Sequence, residues 1–279
     1  MPIVELLKAL LYGMTEGITE WLPVSSTGHL ILLGEILPLP VSAAFSETFD
    51  VVIQLGAILA VVVLFFRKLN PFSPAKTASE RRDTRRLWYR VGVGVIPSAF
   101  IGFLLDDWLD AHLYNSLTVA ATLILYGVLF ILVERRRPAG GAKIPDVGDL
   151  GYPTALGIGL FQVLALIPGT SRSGATILGA MLLGASRCAA AEFSFFLAIP
   201  TMLGAGLLKI GKLFSEGVPV TAAEWGILAV GCISAFLVSL AVIRFLMDFV
   251  KRHSFAAFGW YRILLGILVL GSFGYLGGN

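Results

Sequence analysis

The sequence predicts an all-α polytopic membrane protein made of two inverted-topology repeats, each a re-entrant broken-helix hairpin followed by three transmembrane helices. Three observations support this prediction. The 279 residues are 57% hydrophobic and 14% charged, with a mean hydropathy of +0.85, whereas soluble domains carry about 25% charged residues. Long apolar segments recur along the chain. Two shorter apolar segments are interrupted by similar motifs of proline, glycine and serine.

The first repeat, residues 1–137, begins with a broken hairpin at 3–37. The apolar run at 3–22 predicts a helix that ends near Pro23, because proline lacks an N–H and its ring clashes with the preceding turn. Serines after the break can cap a second helix, which stops at Pro38. This second helix reaches only about 18 Å. It cannot cross a hydrocarbon core of roughly 30 Å, so we expect the hairpin to enter and leave on the same side.

The second repeat, residues 153–279, follows a linker at 138–152 that is rich in proline and glycine. It opens with a hairpin at 153–184, broken at Pro168, and this break aligns with the first break with one residue of slippage. We expect three full spans after each hairpin, which makes a duplication the simplest interpretation. The predicted spans are 48–66, 91–105, 116–133, 190–208, 224–243 and 256–276.

The charged loops predict the orientation. Basic loops favour the cytoplasmic side, which places the loops at 67–90 and 134–143 inside and the acidic loop at Asp106–Asp110 outside. The first hairpin then enters from outside and the second from inside, because three spans per repeat invert the second half. Both breaks are expected near the bilayer midplane, facing each other. Lys209 and Lys212 fall outside and are exceptions to the charge rule.

Two carboxylates precede the first break. Glu16 and Glu20 are four residues apart and therefore share one helix face. They lie at the negative end of the helix dipole, where positive charge is needed to offset them. Their oxygen ligands suit a divalent cation such as Mg²⁺ or Ca²⁺. An intramembrane carboxylate costs at least about 2.5 kcal/mol, which favours a functional role. The alternative is that both face water in a loop.

The helix that starts after the break is a candidate anion site, because its free N–H groups attract phosphate. Ser26 is a candidate nucleophile, and His29, three residues later, is a candidate general acid or base. Arg172 in the second break has a planar fork that suits phosphate oxygens, although it could instead pair structurally with a carboxylate. With Glu20, these residues form the predicted catalytic set.

Further substrate contacts are expected from the other polar and glycine positions of the two breaks and from a polar residue within a span. For each hydroxyl, helix capping is the alternative role. These positions are Ser25, Thr27, Gly28, Ser171, Ser173, Gly174, Thr176 and Gln54.

The two motifs resemble those of the undecaprenyl-pyrophosphate phosphatase family, the bacitracin-resistance type. The first, from Glu16, is Glu-Gly-x-Thr-Glu-x-Leu-Pro-Val-Ser-Ser-Thr-Gly-His, and the second, from Pro168, is Pro-Gly-x-Ser-Arg-Ser-Gly-Ala-Thr. The resemblance extends through essentially the whole chain. It implies a bacterial inner-membrane enzyme that removes one phosphate from undecaprenyl pyrophosphate, recycles the lipid carrier for cell-wall synthesis and confers bacitracin resistance, with its active site facing the periplasm.

By motif match, the resemblance implies that Glu16 and Glu20 are the family's acidic pair, Ser26 its nucleophile, His29 its histidine and Arg172 its phosphate-binding arginine. We expect Mg²⁺ or Ca²⁺ at the acidic pair, a polyprenyl pyrophosphate lipid as substrate, the bilayer as surroundings, a possible homodimer and no nucleic-acid partner. Attack by an activated water, without a covalent serine, stays an alternative.

A transporter is the alternative from another functional class. Inverted repeats with facing half-helices are the plan of secondary carriers, and a polyprenyl-phosphate flippase would need the same anion site. A carrier has no use for a nucleophile, so phosphate release distinguishes the two hypotheses. A purely structural membrane scaffold does not account for the buried charges.

Overall fold

The computed structural model describes residues 3–113, 115–136, 141–217 and 219–276, and these residues are largely helical. The predicted domain limits at 1, 137 and 279, and the start of the predicted linker at 138–140, lie outside the described residues. The helices are α1 (Ile3–Thr19), α2 (Ser26–Ile36), α3 (Ala43–Leu64), α4 (Phe66–Leu69), α5 (Ala78–Leu113), α6 (Ser116–Arg135), α7 (Tyr152–Val163), α8 (Arg172–Leu182), α9 (Arg187–Ser215), α10 (Ala222–Arg252) and α11 (Ala256–Leu276).

Five of these helices contain segments long and apolar enough to cross a membrane, so the chain is a multi-pass membrane protein. The segments are Ala44–Leu64, Ala78–Leu105, Ser116–Arg135, Arg187–Ser215 and Ala222–Arg252. The sixth predicted span, at 256–276, is helical with the same bounds. Large apolar side chains on its outer face, such as Leu264 and Leu268, are exposed, as expected for a surface covered by lipid.

Helix α5 is much longer than the predicted span at 91–105. The basic stretch before residue 91 was predicted to be a loop, but from Ala78 onward it is helical, and so is the predicted acidic loop at Asp106–Asp110. Neither 78–90 nor 106–113 contains a glycine or proline that would end a helix. The backbone therefore stays helical through both charged stretches.

The two broken hairpins have the same local construction. α1 ends before Pro23, and Ser25 caps α2 by accepting a hydrogen bond from the Gly28 N–H at 3.3 Å. In the second hairpin Ser171 caps α8 by accepting one from the Gly174 N–H at 3.1 Å. The same number of residues separates Ser25 from Ser171 and Gly28 from Gly174.

Each hairpin packs its first helix against a long span through glycines. A Cβ on Gly13 of α1 would lie 2.2 Å from the carbonyl oxygen of Gly231 in α10. A Cβ on Gly159 of α7 would lie 2.2 Å from the carbonyl oxygen of Gly94 in α5. Gly159 follows Gly13 by the same number of residues that separates the two capping serines. The two hairpins thus use equivalent positions to bring backbones into contact.

The polar environment of the two hairpins differs. Gln162 follows Glu16 by the number of residues that separates Gly13 from Gly159, so it occupies on α7 the position that Glu16 occupies on α1. It is 2% exposed, and its Nε2 donates to Ser98 Oγ at 2.6 Å and to Thr201 Oγ1 at 3.2 Å. A neutral amide with hydroxyl partners therefore stands in the second hairpin where the first has a carboxylate.

Two ion pairs join α9 to α3 and to the short helix α4 that follows it, one near each end of α3. Lys209 of α9 lies 3.5 Å from Glu47 near the start of α3. Lys68, in the short helix that follows α3, lies 2.7 Å from Glu192 near the start of α9. The two glutamates, each near the start of its helix, thus hold the two spans in antiparallel register.

Candidate active site

Glu20 joins the two breaks. The Ser26 hydroxyl, at the start of α2, donates to Glu20 Oε2 at 2.7 Å. Arg172 Nη2, at the start of α8, donates to Glu20 Oε1 at 2.7 Å. Glu20 and Ser26 are each 6% exposed. Three of the four predicted catalytic residues are therefore in direct contact, with a carboxylate already placed to accept the serine proton.

The Arg172 guanidinium is held from several sides. Nη1 donates to the Ser194 carbonyl oxygen of α9 at 2.8 Å, and the guanidinium lies over the Trp21 ring at 5.7 Å. Thr176, a predicted substrate contact, instead lies behind the arginine, where its hydroxyl is 2.7 Å from the Ser194 hydroxyl. Thr176 thus supports the segment that orients Arg172.

Glu16 is completely buried, and neither of its carboxylate oxygens has a hydrogen-bond partner among the described residues. The charged side chains that interact with it electrostatically are Glu20, Asp50 and Arg172. Unsatisfied buried carboxylate oxygens are costly unless a cation or a proton occupies the site. The arrangement fits a divalent cation held by Glu16 and Glu20, with remaining ligands from water or phosphate, as is usual for Mg²⁺.

No group of three or more histidine, cysteine, aspartate or glutamate side chains is arranged to hold a metal ion within the described part of the chain. A cation held here would therefore depend on the two glutamates and on oxygens of the substrate. Such dependence on substrate phosphates is characteristic of magnesium sites in phosphoryl-transfer enzymes.

The capping serines give the two helix starts an unusual backbone. Ser25 and Ser171 have φ values of 73° and 70°, in the left-handed region that non-glycine residues seldom occupy. Each capping hydroxyl takes one N–H group of its first helical turn, that of Gly28 or Gly174. The other N–H groups that begin a helix are the ones that can bind an anion. Ser173 adds a direct link, since its hydroxyl donates to the Glu20 carbonyl oxygen at 2.9 Å.

His29 lies in α2 but is not hydrogen-bonded to Ser26. Its Nδ1 donates to the Ser25 carbonyl oxygen at 2.7 Å, because a carbonyl can only accept. Its Nε2 is 2.7 Å from the hydroxyl of Tyr261 in α11, and the two rings stack at 5.7 Å. Glu20, rather than His29, makes the contact with the serine hydroxyl, and the role of His29 as general acid or base stays a prediction.

Thr27 and Gln54 line a cavity of about 730 Å³ beside the cluster. Tyr12, Asp50 and Lys209 contribute to the same cavity. It brings polar side chains of α2 and α3 together with apolar ones from the second hairpin, such as Leu166. Gln54 is therefore placed to face a bound molecule, separate from the Ser26–Glu20–Arg172 contacts.

The sequence analysis missed three residues of this region. Asp50 lines the cavity, and its Oδ1 is buried with no partner in the described structure. It stands one helical turn before Gln54 in an apolar span, a signal that could have identified it. Tyr261 contacts His29. Arg262, the only charged residue in the run 256–276, is fully buried between the two breaks.

Comparison with known proteins identifies the family of this chain. The family described as "Bacitracin resistance protein BacA" matches residues 9–268. The undecaprenyl-diphosphatase of Latilactobacillus sakei is 54% identical over 272 residues, covering 98% of this chain and 99% of that protein. Those of Streptococcus thermophilus and Enterococcus faecalis are 56% and 55% identical, covering 96% and 97% of this chain and 93% and 98% of the relatives. With matches of this identity over almost its full length, the chain belongs to the bacitracin resistance protein BacA family.

Proposed function

We propose that this chain is an undecaprenyl-diphosphate phosphatase, which hydrolyses undecaprenyl pyrophosphate to undecaprenyl phosphate and inorganic phosphate and so recycles the carrier lipid for cell-wall synthesis. Relatives that cover nearly the whole chain carry the name undecaprenyl-diphosphatase. The structural observation that carries the proposal is the Ser26 hydroxyl, which lies 2.7 Å from Glu20 Oε2, while Arg172 pairs with the other oxygen of the same carboxylate. Family membership connects the same activity with bacitracin resistance.

In the proposed reaction Ser26 attacks the terminal phosphorus in line. Its proton passes to Glu20 Oε2, the oxygen that already accepts the serine hydrogen bond. A bond forms between Ser26 Oγ and phosphorus, and the bond from phosphorus to the bridging oxygen breaks, which releases undecaprenyl phosphate. Water then attacks the phosphorus of the phosphoserine and the bond from Ser26 Oγ to phosphorus breaks. Inorganic phosphate leaves with the oxygen of that water, and Glu20 returns its proton to Ser26 Oγ. Arg172 and the N-terminal N–H groups of α2 and α8 stabilise the phosphoryl oxygens throughout.

We propose Glu16 and Glu20 as the residues that hold a divalent cation, Mg²⁺ or Ca²⁺. Both oxygens of Glu16 are buried without a partner in the described structure, which supports this assignment. When bound, such a cation would neutralise pyrophosphate charge and polarise a phosphoryl oxygen.

We also propose that the chain consists of two inverted repeats, at 1–137 and 153–279, joined by a linker at 138–152. Equal spacing relates Ser25 to Ser171 and Gly13 to Gly159, and each pair has the same local contacts. The first helix of each half packs on a long span of the other half through a glycine backbone, α1 on α10 and α7 on α5. Because α2 and α8 have 11 residues each, they are too short to cross the bilayer, which supports re-entrant hairpins.

The proposed location is the bacterial inner membrane, with the Ser26 site facing the periplasm. The support is the charge pattern, since the basic stretch that begins α5 is expected on the cytoplasmic side. On this topology the cavity beside the site, which polar side chains of α2 and α3 and apolar ones of the second hairpin line, would admit the lipid whose pyrophosphate reaches Ser26. A homodimer stays a prediction.

The decisive experiment measures phosphate release from undecaprenyl pyrophosphate by purified protein, with and without chelator. Release that requires a divalent cation is expected. A polyprenyl-phosphate carrier, the competing hypothesis favoured by the repeat arrangement, would bind the lipid and release no phosphate. If the lipid binds and no phosphate is released, the carrier hypothesis replaces the phosphatase hypothesis.

A further inference from the structure

Arg262 is a buried cation that contacts both breaks at once. It lies on α11, it is 0% exposed, and no carboxylate pairs with it among the described residues. Nη1 donates to the Pro23 carbonyl oxygen at 3.2 Å, and Nη2 donates to those of Gly169 and Thr170 at 2.9 Å and 2.8 Å. Three backbone carbonyls from two distant segments thus converge on one guanidinium.

These carbonyls belong to the residues that lead into the two strained serines. Pro23 stands two residues before Ser25, and Thr170 stands directly before Ser171. A non-glycine residue with positive φ costs about 1–3 kcal/mol and persists only when its surroundings fix it. The hydrogen bonds from Arg262 fix the peptide groups on the entry side of each turn, while the serine caps fix the exit side.

The bonds also control which backbone groups face the anion site. A carbonyl held by Arg262 cannot rotate toward the helix start, where its oxygen would repel phosphate. The Arg262 guanidinium also lies close to the first turn of α8, because a Cβ on Gly174 would be 2.8 Å from Arg262 Nη1. The Tyr126 ring, 5.4 Å from the guanidinium, supports the arginine from α6.

We infer that Arg262 is a positioning residue of the proposed phosphatase reaction, which holds the starts of α2 and α8 in the mutual geometry that Ser26 and Arg172 require. The inference rests on the proposed function and adds a residue that the two motifs do not contain. Arg262 is assigned no contact with the substrate and acts through the backbone of both breaks.

Arg262→Lys is the sharpest test because it keeps the charge. A lysine has one point-like ammonium and cannot reproduce the planar fork that binds three carbonyls. We expect kcat to fall about 100-fold, since small misplacement of reacting groups has effects of that size, with little change in KM. Arg244→Lys, at an exposed arginine of α10, is the matched control and should leave kcat unchanged.

Hydrogen–deuterium exchange of the same variant measures positioning without turnover. Peptides that cover 23–28 and 169–174 should both exchange faster in Arg262→Lys, while the protected spans stay as in the wild type. If Arg262→Lys does not fold, Tyr126→Leu leaves the three hydrogen bonds and removes only the ring. That variant should lower kcat about two- to tenfold and speed exchange at the same two segments.

Wild-type kcat together with unchanged exchange at both breaks, in Arg262→Lys or in Tyr126→Leu, would overturn the inference. A kcat loss that is matched by general loss of protection across all helices would also overturn it, because the arginine would then serve only overall stability. Failure of the wild type to release phosphate would contradict the proposed function alone, since the exchange measurement still tests Arg262.

Discussion

At the scale of single residues, Glu20 is the point where the proposed chemistry is concentrated. One of its carboxylate oxygens accepts a hydrogen bond from the Ser26 hydroxyl, and the other pairs with the Arg172 guanidinium. This arrangement places Ser26 and Arg172 on the two oxygens of one carboxylate and leaves the arginine next to the position that a phosphate would take. Substrate binding would then share Arg172 between Glu20 and the phosphate, with Ser26 still oriented.

Ser26→Ala should abolish the chemical step while the lipid still binds, because Arg172 and the helix starts remain. We expect kcat to fall at least about 1,000-fold with little change in binding. Ser25→Ala is the control: it removes a cap worth about 1 kcal/mol and should have a milder effect. Lipid binding and phosphate release are measured side by side. A wild-type rate in Ser26→Ala would leave an activated water as the nucleophile, with His29 as a candidate base.

Glu16→Gln should weaken divalent-cation binding at least about tenfold, because carboxylate charge sets the affinity of such sites. The amide has nearly the same shape, so the change isolates charge. The measurements are Mg²⁺ titrations of phosphate release and of thermal stability. Glu5→Gln, in the first turn of the same helix, is the matched control. Full activity of the wild type in excess chelator would contradict the metal assignment.

Residues of the two breaks could be predicted because each is a polar group in an apolar segment, and the local spacing places it. Glu20, Ser26 and Arg172 were found in this way, and they are in contact. Tyr261 and Arg262 could not be found from the motifs, since their partners lie far away in the sequence. No local pattern indicates which face of α11 meets the breaks.

At the scale of secondary-structure elements, the breaks were easier to predict than the ends of the long spans. Proline and capping serines act within a few residues, so the short helices begin and end close to the expected positions. The ends of α5 depend on how far a charged helix continues into water. Composition suggested a loop there, whereas the absence of glycine and proline was the better guide.

Close glycine contacts between elements give a stability prediction. Gly159→Ala should destabilise the protein by about 1–3 kcal/mol, because its Cβ would lie 2.2 Å from a backbone oxygen that cannot move aside easily. Gly92→Ala on the partner helix is the matched control, since nothing lies within 4 Å of its Cβ. It should be neutral or stabilising by up to about 1 kcal/mol. Thermal unfolding in detergent measures both, and equal midpoints would contradict the tight packing.

At the scale of the whole molecule, membrane orientation decides which side supplies the substrate. A cysteine at Ser79 should be labelled by an impermeant reagent only from the cytoplasm, and one at Asp110 only from the periplasm, in a background without Cys188 and Cys232. The reason is the opposite charge of these two regions. Labelling of both positions from one side would contradict the inverted arrangement of the two halves.

Two inverted repeats were predicted from the repeated order of break and spans. The interval between Ser25 and Ser171 equals that between Gly28 and Gly174, and both serines have positive φ, which supports the prediction. The contacts between halves were beyond the sequence, because they require side chains from opposite ends of the chain to meet. Ser173 bonding to the Glu20 carbonyl is an example, since each residue alone has a simpler role as a cap or an acid.

The neutral Gln162 has a consequence for the direction of the reaction. If the two halves are inverted copies, Gln162 occupies toward the cytoplasm the position that Glu16 occupies toward the periplasm. The second hairpin then has no acidic pair of its own, since Leu166 stands where the first hairpin has Glu20, and it contributes Arg172 to the single site instead. A cation bound by Glu16 and Glu20 would therefore lie on one side of the pseudo-symmetric pair only, and the proposed reaction would have a single direction of approach for its lipid.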